Sequence, residues 1–171
     1  MTWLRLVPAI ILVALIGVFA VLLLRAEPPP EDPLIGQPVP VLALETLSGR
    51  EGFNPALARG EPYLINIWGS WCPPCIAEHP VLMALAAENI DIYGIAWRDQ
   101  RDDANSFLDQ RGDPFAGVLL DPAGQAVIAF GATGAPETFV IDSDGNIAAR
   151  WVGPLTEQAL IQTIYPALEA G

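Results

Sequence analysis

The sequence is poor in positive charge and contains no lysine. All eight basic residues are arginine, whereas twenty residues are aspartate or glutamate, so the 171-residue chain carries a formal net charge of −12. Nucleic acids and anionic lipid headgroups bind basic surfaces and are repelled by acidic ones. The composition therefore argues against nucleic acid as a partner.

Charge is absent altogether from residues 6–24, between Arg5 and Arg25. A helix of about 20 apolar residues crosses a bilayer core of about 30 Å. The run is longer than the apolar part of a signal peptide, which is about 7–15 residues, and no small-residue cleavage site follows it. No cysteine follows that could carry a lipid. We therefore predict an uncleaved transmembrane anchor over residues 6–24.

The charges beside the anchor predict its orientation. Arg5 and the α-amino group favour a cytoplasmic N-terminus, although Arg25 on the far side weakens this signal. We expect residues 1–5 to form a short cytoplasmic end and the chain beyond the anchor to lie wholly outside the cytoplasmic membrane. The protein would then be a single-pass membrane protein.

Residues 25–38 are rich in proline, which favours an extended, semi-rigid spacer. Residues 39–171 are predicted to form one folded domain, since short apolar runs alternate there with amphipathic segments. Strands are predicted at residues 40–44, 62–68, 90–97, 116–121, 138–142 and 146–153, and helices at 75–89, 101–112, 122–131 and 156–170. We expect an aspartate, 102 or 103, to cap the second of these helices, and Thr156 to cap the last. This order of elements predicts an α/β sandwich, with a central mixed sheet between two helical layers.

The two cysteines, Cys72 and Cys75, lie where a buried strand is followed by a helix. Pro73 and Pro74 suit the first helical positions, because the N–H groups there lack partners within the helix. The helix dipole and these N–H groups stabilise a thiolate, so we expect the pKa of the Cys72 thiol to lie below about 8.5. An exposed Cys72 would then attack a disulfide, and Cys75 would resolve the mixed disulfide.

Two other roles for the cysteine pair are weaker. A structural disulfide across so short a loop restricts the unfolded chain little and so adds little stability. A zinc site would have only Cys72, Cys75 and His79 as ligands, and a carboxylate or water would have to complete it. We expect no metal, and we expect His79 to be a surface or partly buried residue of the helix.

The motif WCPPC, in which Trp71 precedes Cys72, resembles the active site of the thioredoxin superfamily. Pro80 matches a proline in the same helix of many thioredoxins. The segment GAPETFVID resembles the superfamily's second signature, whose proline, here Pro136, is cis and faces the dithiol. The resemblance implies a thioredoxin-like fold with an N-terminal extension and a central insert. It also implies that the backbone at Ala135 pairs with an extended strand of the partner.

A closer resemblance is to the membrane-anchored thiol–disulfide interchange proteins of cytochrome c maturation, called DsbE or CcmG. It rests on the anchor and spacer and on three segments: WCPPCIAEHP, with Glu78; YGIAWRDQRDDA; and GAPETFVIDSDGNI, with Glu137. The sequence departs from the pattern at two places. Asn66 occupies the position of the superfamily's buried aspartate and cannot accept a proton. Trp97-Arg98 replaces a polar-aromatic-lysine sequence.

The resemblance implies a thiol–disulfide oxidoreductase without a cofactor, held in the inner membrane by a single pass with its C-terminal domain in the periplasm. Its electron acceptor would be apocytochrome c, whose CxxCH thiols must be reduced before haem attaches, or a dithiol protein of the same system. Its electron donor would be a membrane protein of the DsbD or CcdA type. Two other functions stay open: a TlpA-type reductant for copper-site assembly in cytochrome oxidase, and a module that binds haem or an unfolded chain without using its thiols.

Glu78 and Glu137 form a hypothesis of their own. If they lie near the dithiol, their charges oppose thiolate formation at Cys72 and destabilise the reduced form, which makes the protein a better reductant. The alternative is that both are ordinary solvated carboxylates on a helix and a turn.

Overall fold

The computed structural model describes residues 7–24, 32–54 and 60–171. The chain forms two compact units, Met1–Asp32 and Pro33–Gly171. In the first unit, helix α1 (Val7–Leu24) contains no charged residue. Across the three described ranges, no helix is long and apolar enough to cross a membrane. The predicted cytoplasmic end at residues 1–5 lies outside the described ranges, and so does the first part, residues 25–31, of the predicted spacer at 25–38.

The second unit is built on a mixed sheet of six strands in the order β1-β4-β3-β2-β5-β6. The strands are β1 (Glu45–Thr46), β2 (Tyr63–Trp68), β3 (Ile92–Trp97), β4 (Gly117–Asp121), β5 (Glu137–Ile141) and β6 (Ile147–Val152). Strands β2, β3 and β4 are parallel neighbours, whereas β1, β5 and β6 pair with their neighbours in antiparallel fashion. The prediction of an α/β fold with a mixed central sheet is confirmed.

Four helical regions pack onto this sheet in the described part of the second unit. They are α2 (Pro73–Ala87), α3 (Arg101–Arg111), α4 (Gln125–Ala129) and a C-terminal helix that consists of α5 (Glu157–Ala159), a π-helical turn (Leu160–Ile164) and α6 (Tyr165–Ala170). Thr156 caps the C-terminal helix as predicted, since its side chain accepts a hydrogen bond from the N–H of Ala159. The π-helical turn precedes Pro166, which has no N–H to continue the regular ladder.

Strand β2 lies at the centre of the sheet, and all six of its residues are buried. On one face, Leu64 packs with Leu82 and Leu85 of α2 and with the C-terminal helix. On the other face, a second cluster contains Tyr63, Ile65, Phe130, Phe139 and Ala126 of α4, with partly buried residues of the N-terminal segment against it. Burial on both faces explains why the β2 sequence is apolar at every position except Asn66 rather than alternating. This packing also holds the C-terminal end of β2 in place, and the cysteine loop begins there.

The predicted strand at residues 40–44 is wrong. Pro38 and Pro40 lack the N–H groups that a strand interior needs. The chain pairs with the sheet just before this segment instead, because the N–H groups of Gly36 and Val39 donate to the carbonyls of Ile147 and Gly145.

One predicted helix cap and one predicted helix start also differ. The N-cap of α3 is Gln100, and Asp102 and Asp103 lie in the first turn, where their charges favour the helix dipole. Helix α4 begins at Gln125 rather than at residue 122, because the carboxylate of Asp121 accepts hydrogen bonds from the first N–H groups of the helix, each over 2.8 Å.

Candidate active site

The end of β2 places the cysteine pair at the N-terminus of α2. Cys72 is the N-cap residue and has extended backbone (φ −95°, ψ 107°), with Pro73 and Pro74 in the first helical turn. The backbone N–H of Cys75 lies 3.3 Å from the Sγ atom of Cys72 and donates a hydrogen bond to it. The predicted location of Cys72 at the positive end of a helix is confirmed.

Cys72 and Cys75 form a disulfide in this structure, and their Cα atoms are 5.3 Å apart. Both residues are buried, with exposed fractions of 1% and 3%. The expectation of an exposed Cys72 is therefore not met in the oxidised state. Its sequence neighbours Trp71, Pro73 and Pro74 are exposed.

The loop before β5 lies against the cysteine pair. The peptide bond between Ala135 and Pro136 is cis, as the resemblance implied. The carbonyl oxygen of Ala135 is 3.6 Å from Cys72 Sγ. The carbonyl of Pro136 accepts a hydrogen bond of 2.9 Å from the N–H of Gly153. The structure thus brings together the two sequence signatures, which are far apart along the chain.

Glu78 is a buried acid of α2, three residues after Cys75, and only 1% of it is exposed. Its Oε2 atom accepts a hydrogen bond of 2.7 Å from the N–H of Leu155. Burial raises the pKa of Glu78 from 4.5 to about 7, and the hydrogen bonds from Leu155 and Asn66 oppose this rise only in part. The alternative of a solvated carboxylate is wrong for Glu78, which titrates close to neutral pH.

Asn66 connects Glu78 to the sheet. Its Nδ2 atom donates to Glu78 Oε1 over 2.9 Å and to Thr138 Oγ1 over 3.0 Å. The Oδ1 atom of Asn66 is buried and has no hydrogen-bond partner among the described residues. The position where the resemblance implied a buried aspartate thus holds an amide, and the buried acid comes from the adjacent helix.

Glu137 is also buried, with 1% exposed. Its carboxylate accepts hydrogen bonds from the loop before Pro136. Oε1 accepts hydrogen bonds from the N–H and hydroxyl of Thr133, over 2.5 and 2.6 Å, and from the N–H of Gly134, over 3.1 Å. Oε2 forms an ion pair of 2.8 Å with Arg150 of β6. The solvated alternative is therefore wrong for Glu137 as well, and its observed contacts hold the loop that carries Ala135.

His79 is buried rather than at the surface. Its Nε2 atom is 3.1 Å from the carbonyl oxygen of Gly112, and its ring packs edge-on against Phe107. Burial lowers the pKa of His79, so the imidazole is neutral at pH 7. Within residues 7–24, 32–54 and 60–171, no cluster of three or more metal-ligating side chains occurs.

Asp99 is a buried site residue that the sequence interpretation missed. Its carboxylate accepts hydrogen bonds from the N–H of Ser70, over 2.6 Å, from the Ser70 hydroxyl, over 2.8 Å, and from the N–H of Gln100. Because the carboxyl ends of parallel β2 and β3 meet at one edge of the sheet, an acid directly after β3 could have been assigned to the cysteine loop. Asp99 fixes the residues that lead into Cys72.

Comparisons with known proteins agree with this geometry. Residues 34–164 match the Redoxin family model. The thiol:disulfide interchange protein DsbE of Vibrio cholerae is 37% identical over 169 residues, which cover 95% of this chain and 92% of that protein. DsbE of Escherichia coli K12 is 41% identical, over 81% of this chain and 76% of that protein.

A solved structure has the same fold. The crystal structure of a thiol:disulfide interchange protein DsbE from Chlorobium tepidum superposes with a TM-score of 0.66 at 29% identity and covers 78% of this chain and 97% of that one. The cysteine pair, the helix that begins at it and the loop with cis Pro136 make the chain a thiol–disulfide oxidoreductase. The chain belongs to the Redoxin family and, within it, to the DsbE thiol:disulfide interchange proteins.

Proposed function

We propose that this protein is a membrane-anchored reductant of the cytochrome c maturation pathway. Its substrate is the disulfide of an apocytochrome c CxxCH segment or of a dithiol protein that serves it. The observation that carries the direction of electron flow is Glu78, a buried carboxyl with a pKa of about 7, one helical turn after Cys75. A negative charge there opposes thiolate formation, so it destabilises the reduced dithiol and favours electron donation.

The reaction proceeds in two exchange steps. The Cys72 thiolate attacks one sulfur of the partner disulfide, forms a mixed disulfide and releases the other partner sulfur as a thiolate. The Cys75 thiolate then attacks Cys72 Sγ, closes the Cys72–Cys75 disulfide and releases the second partner thiolate. Two electrons pass to the partner, and the partner thiolates take up protons.

Glu78 has a second use in the resolving step. Cys75 must lose its proton to attack, and residues three apart on a helix lie on the same side. A carboxyl with a pKa of about 7 is poised to take up that proton near neutral pH. Asn66 holds this carboxyl through its Nδ2 group.

The partner binds as an extended strand beside Ala135. The Thr133 and Gly134 N–H groups are already bonded to Glu137, and Ala135 lies next to Cys72 Sγ. Backbone pairing at Ala135 orients a partner without demanding a particular sequence.

The chain is anchored in the inner membrane by residues 6–24, with the second unit in the periplasm. The support is the uncharged run itself and the exposed large side chains of α1, among them Ile10, Val13 and Phe19. At 1.5 Å per residue, the 18 residues of α1 span about 27 Å, just short of a core of about 30 Å. A membrane protein of the DsbD or CcdA type would return the active-site disulfide to the dithiol.

A trapping experiment tests the function. A Cys75→Ser variant cannot resolve the mixed disulfide, so in cells that make c-type cytochromes it should retain its partner covalently. Recovery of apocytochrome c or of a dithiol maturation protein supports the proposal. Recovery of a copper-site assembly protein in its place contradicts it and favours the TlpA-type function. A Cys72→Ala, Cys75→Ser variant is the control that forms no mixed disulfide.

A further inference from the structure

An aromatic and cationic surface continues from the active site along the end of β3. Trp71, which precedes Cys72, is 50% exposed. Its indole Nε1–H donates to the carbonyl oxygen of Trp97 over 3.2 Å, and the two rings lie 5.5 Å apart. The guanidinium of Arg98 lies over the Trp97 ring, 5.1 Å from its centroid. Trp71, Trp97 and Arg98 thus form one continuous surface, here called the arginine shelf.

The backbone holds the shelf in a defined place beside Cys72. Arg98 has a φ of +48°, a conformation that residues other than glycine rarely adopt and that often marks functional positions. Its N–H donates to the carbonyl of Asp121 over 2.8 Å. The next residue, Asp99, binds Ser70 at the start of the cysteine loop. Hydrogen bonds from Ser70 and Trp71 therefore join the loop that leads to Cys72 to the end of β3.

The charge of Arg98 has no partner within the described part of the chain. Arg50, Arg101 and Arg150 form ion pairs with carboxylates, whereas Arg98 is exposed and its guanidinium lies over an aromatic ring. The nearby carboxylate of Asp99 is occupied by Ser70 and Gln100, and that of Asp121 by the first turn of α4. An unpaired cation beside the active site is unexpected on a chain with a net charge of −12.

We propose that the arginine shelf binds an acidic side chain of the protein whose disulfide reacts with Cys72. A guanidinium stacked on an indole keeps its N–H edge free for a carboxylate, which it binds in a bidentate manner. Tryptophan and arginine are, with tyrosine, the residues enriched at the energetic centres of protein interfaces. The rest of the protein surface is acidic and repels an acidic segment of the partner. The arginine shelf therefore also selects the orientation in which that segment approaches Cys72. The inference rests on the proposed function only in that Cys72 reduces a peptide disulfide.

The test compares peptide disulfides that differ in one charge. The full chain, reduced and held in a neutral detergent, is mixed with three peptides that share a Cys-x-x-Cys disulfide and carry Glu, Gln or Lys on either flank. Acid quenching and chromatography give the rate at which peptide thiols form. We expect the Glu peptide to react about fivefold faster than the Gln peptide at low salt, and the Lys peptide more slowly still. Salt at about 0.5 M should remove most of the difference.

The variants assign the preference to one residue. Arg98→Gln should abolish the preference for the Glu peptide, and Arg98→Lys should keep part of it. Arg111→Gln is the matched control, because Arg111 is also exposed and lies over an aromatic ring, that of Phe107 at 5.4 Å; it should leave the preference unchanged. The rate with hydroxyethyl disulfide, which is small and neutral, should be the same in all variants.

Three results would overturn the proposal. Equal rates for the Glu and Gln peptides, with normal reduction of hydroxyethyl disulfide, would remove the shelf as an acidic-group site and leave the reductase function standing. A preference that survives in Arg98→Gln would place the recognition elsewhere. Failure to reduce any peptide or small disulfide would remove the proposed function and this inference with it.

Discussion

Asn66 and Glu78 are joined by a buried hydrogen bond of 2.9 Å between Nδ2 and Oε1. The bond links the central strand to the helix of the cysteine pair, and it leaves Glu78 buried with a pKa of about 7. Asn66 provides no acid of its own, so Glu78 is the titrating group of this buried site.

Stability should fall as pH rises through the window set by Glu78. The carboxyl titrates near 4.5 in the unfolded chain and near 7 in the folded one. Between these values the folded state keeps a proton that the unfolded state has lost, so the free energy of unfolding decreases with rising pH, by up to about 3 kcal/mol. The decrease is absent below pH 4.5 and complete above pH 7. Urea unfolding of the oxidised protein from pH 4 to 8 measures it.

The Glu78→Gln variant should lack this component of the pH dependence. Glu169→Gln, at an exposed position near the chain end, is the control and should follow the wild type. If wild type and Glu78→Gln show parallel stability profiles over pH 4.5–7, Glu78 does not titrate in that window.

Glu78→Gln should also slow the resolving step. Without a carboxyl to accept the Cys75 proton, reduction of a peptide disulfide at pH 7 should fall about tenfold or more. The mixed disulfide at Cys72 should then accumulate, since the first attack does not need Glu78. Rapid acid quenching and mass spectrometry count the mixed disulfide directly. An unchanged resolving rate would assign proton transfer to another group.

Arg150 should be important for stability because its partner is buried. The Arg150 and Glu137 side chains are 12% and 1% exposed. Replacing Arg150 with Met leaves the Glu137 carboxylate buried without its cation, which should lower the free energy of unfolding by about 3 kcal/mol. Arg101→Met breaks the exposed pair with Glu45 and should cost under about 1 kcal/mol. Equal losses in the two variants, by urea unfolding, would contradict the role of burial.

Asp99 should control how well Cys72 is presented to a partner. Asp99→Asn retains the shape of the side chain but weakens the hydrogen bonds to Ser70 and Gln100, at a cost of about 1–3 kcal/mol in stability. We expect a higher KM for peptide disulfides, since the loop with Trp71 is no longer fixed. The reaction with hydroxyethyl disulfide should change less. A fall in both rates by the same factor would mean that Asp99 acts on the chemistry of the thiols instead.

The sequence was sufficient for the elements whose signals are local. The buried run of β2, the two prolines after Cys72 and Thr156 before the last helix each specify a structure through their own chemistry, and all three were predicted. The short apolar run at residues 40–44 led to a wrong strand prediction. A strand needs a neighbouring strand with unpaired N–H and carbonyl groups, and the chain pairs with β6 and the turn before it through Gly36 and Val39 instead. Helix α4 starts later than predicted because its first N–H groups donate to Asp121, which is the last residue of a strand.

In the active site too, features with local sequence signals were predictable, whereas contacts between distant elements were not. The cysteine pair and cis Pro136 carry motifs that can be read from the sequence. The contacts of Glu78, Glu137 and Asp99 cannot, since each carboxylate is bonded to a residue on another element or loop. Only the three-dimensional structure shows that Glu78 faces Asn66, while Glu137 faces Arg150.

The reduction potential of the Cys72–Cys75 couple tests the central claim most directly. The full chain in neutral detergent is equilibrated with a series of glutathione or dithiothreitol redox buffers, and the tryptophan fluorescence near the cysteines reports the fraction oxidised. A disulfide reductase should have a potential in the range of thioredoxin and glutaredoxins, about −270 to −200 mV. A value near that of the strong oxidant DsbA, about −120 mV, would mean that this protein donates disulfides and would contradict its role as a reductant.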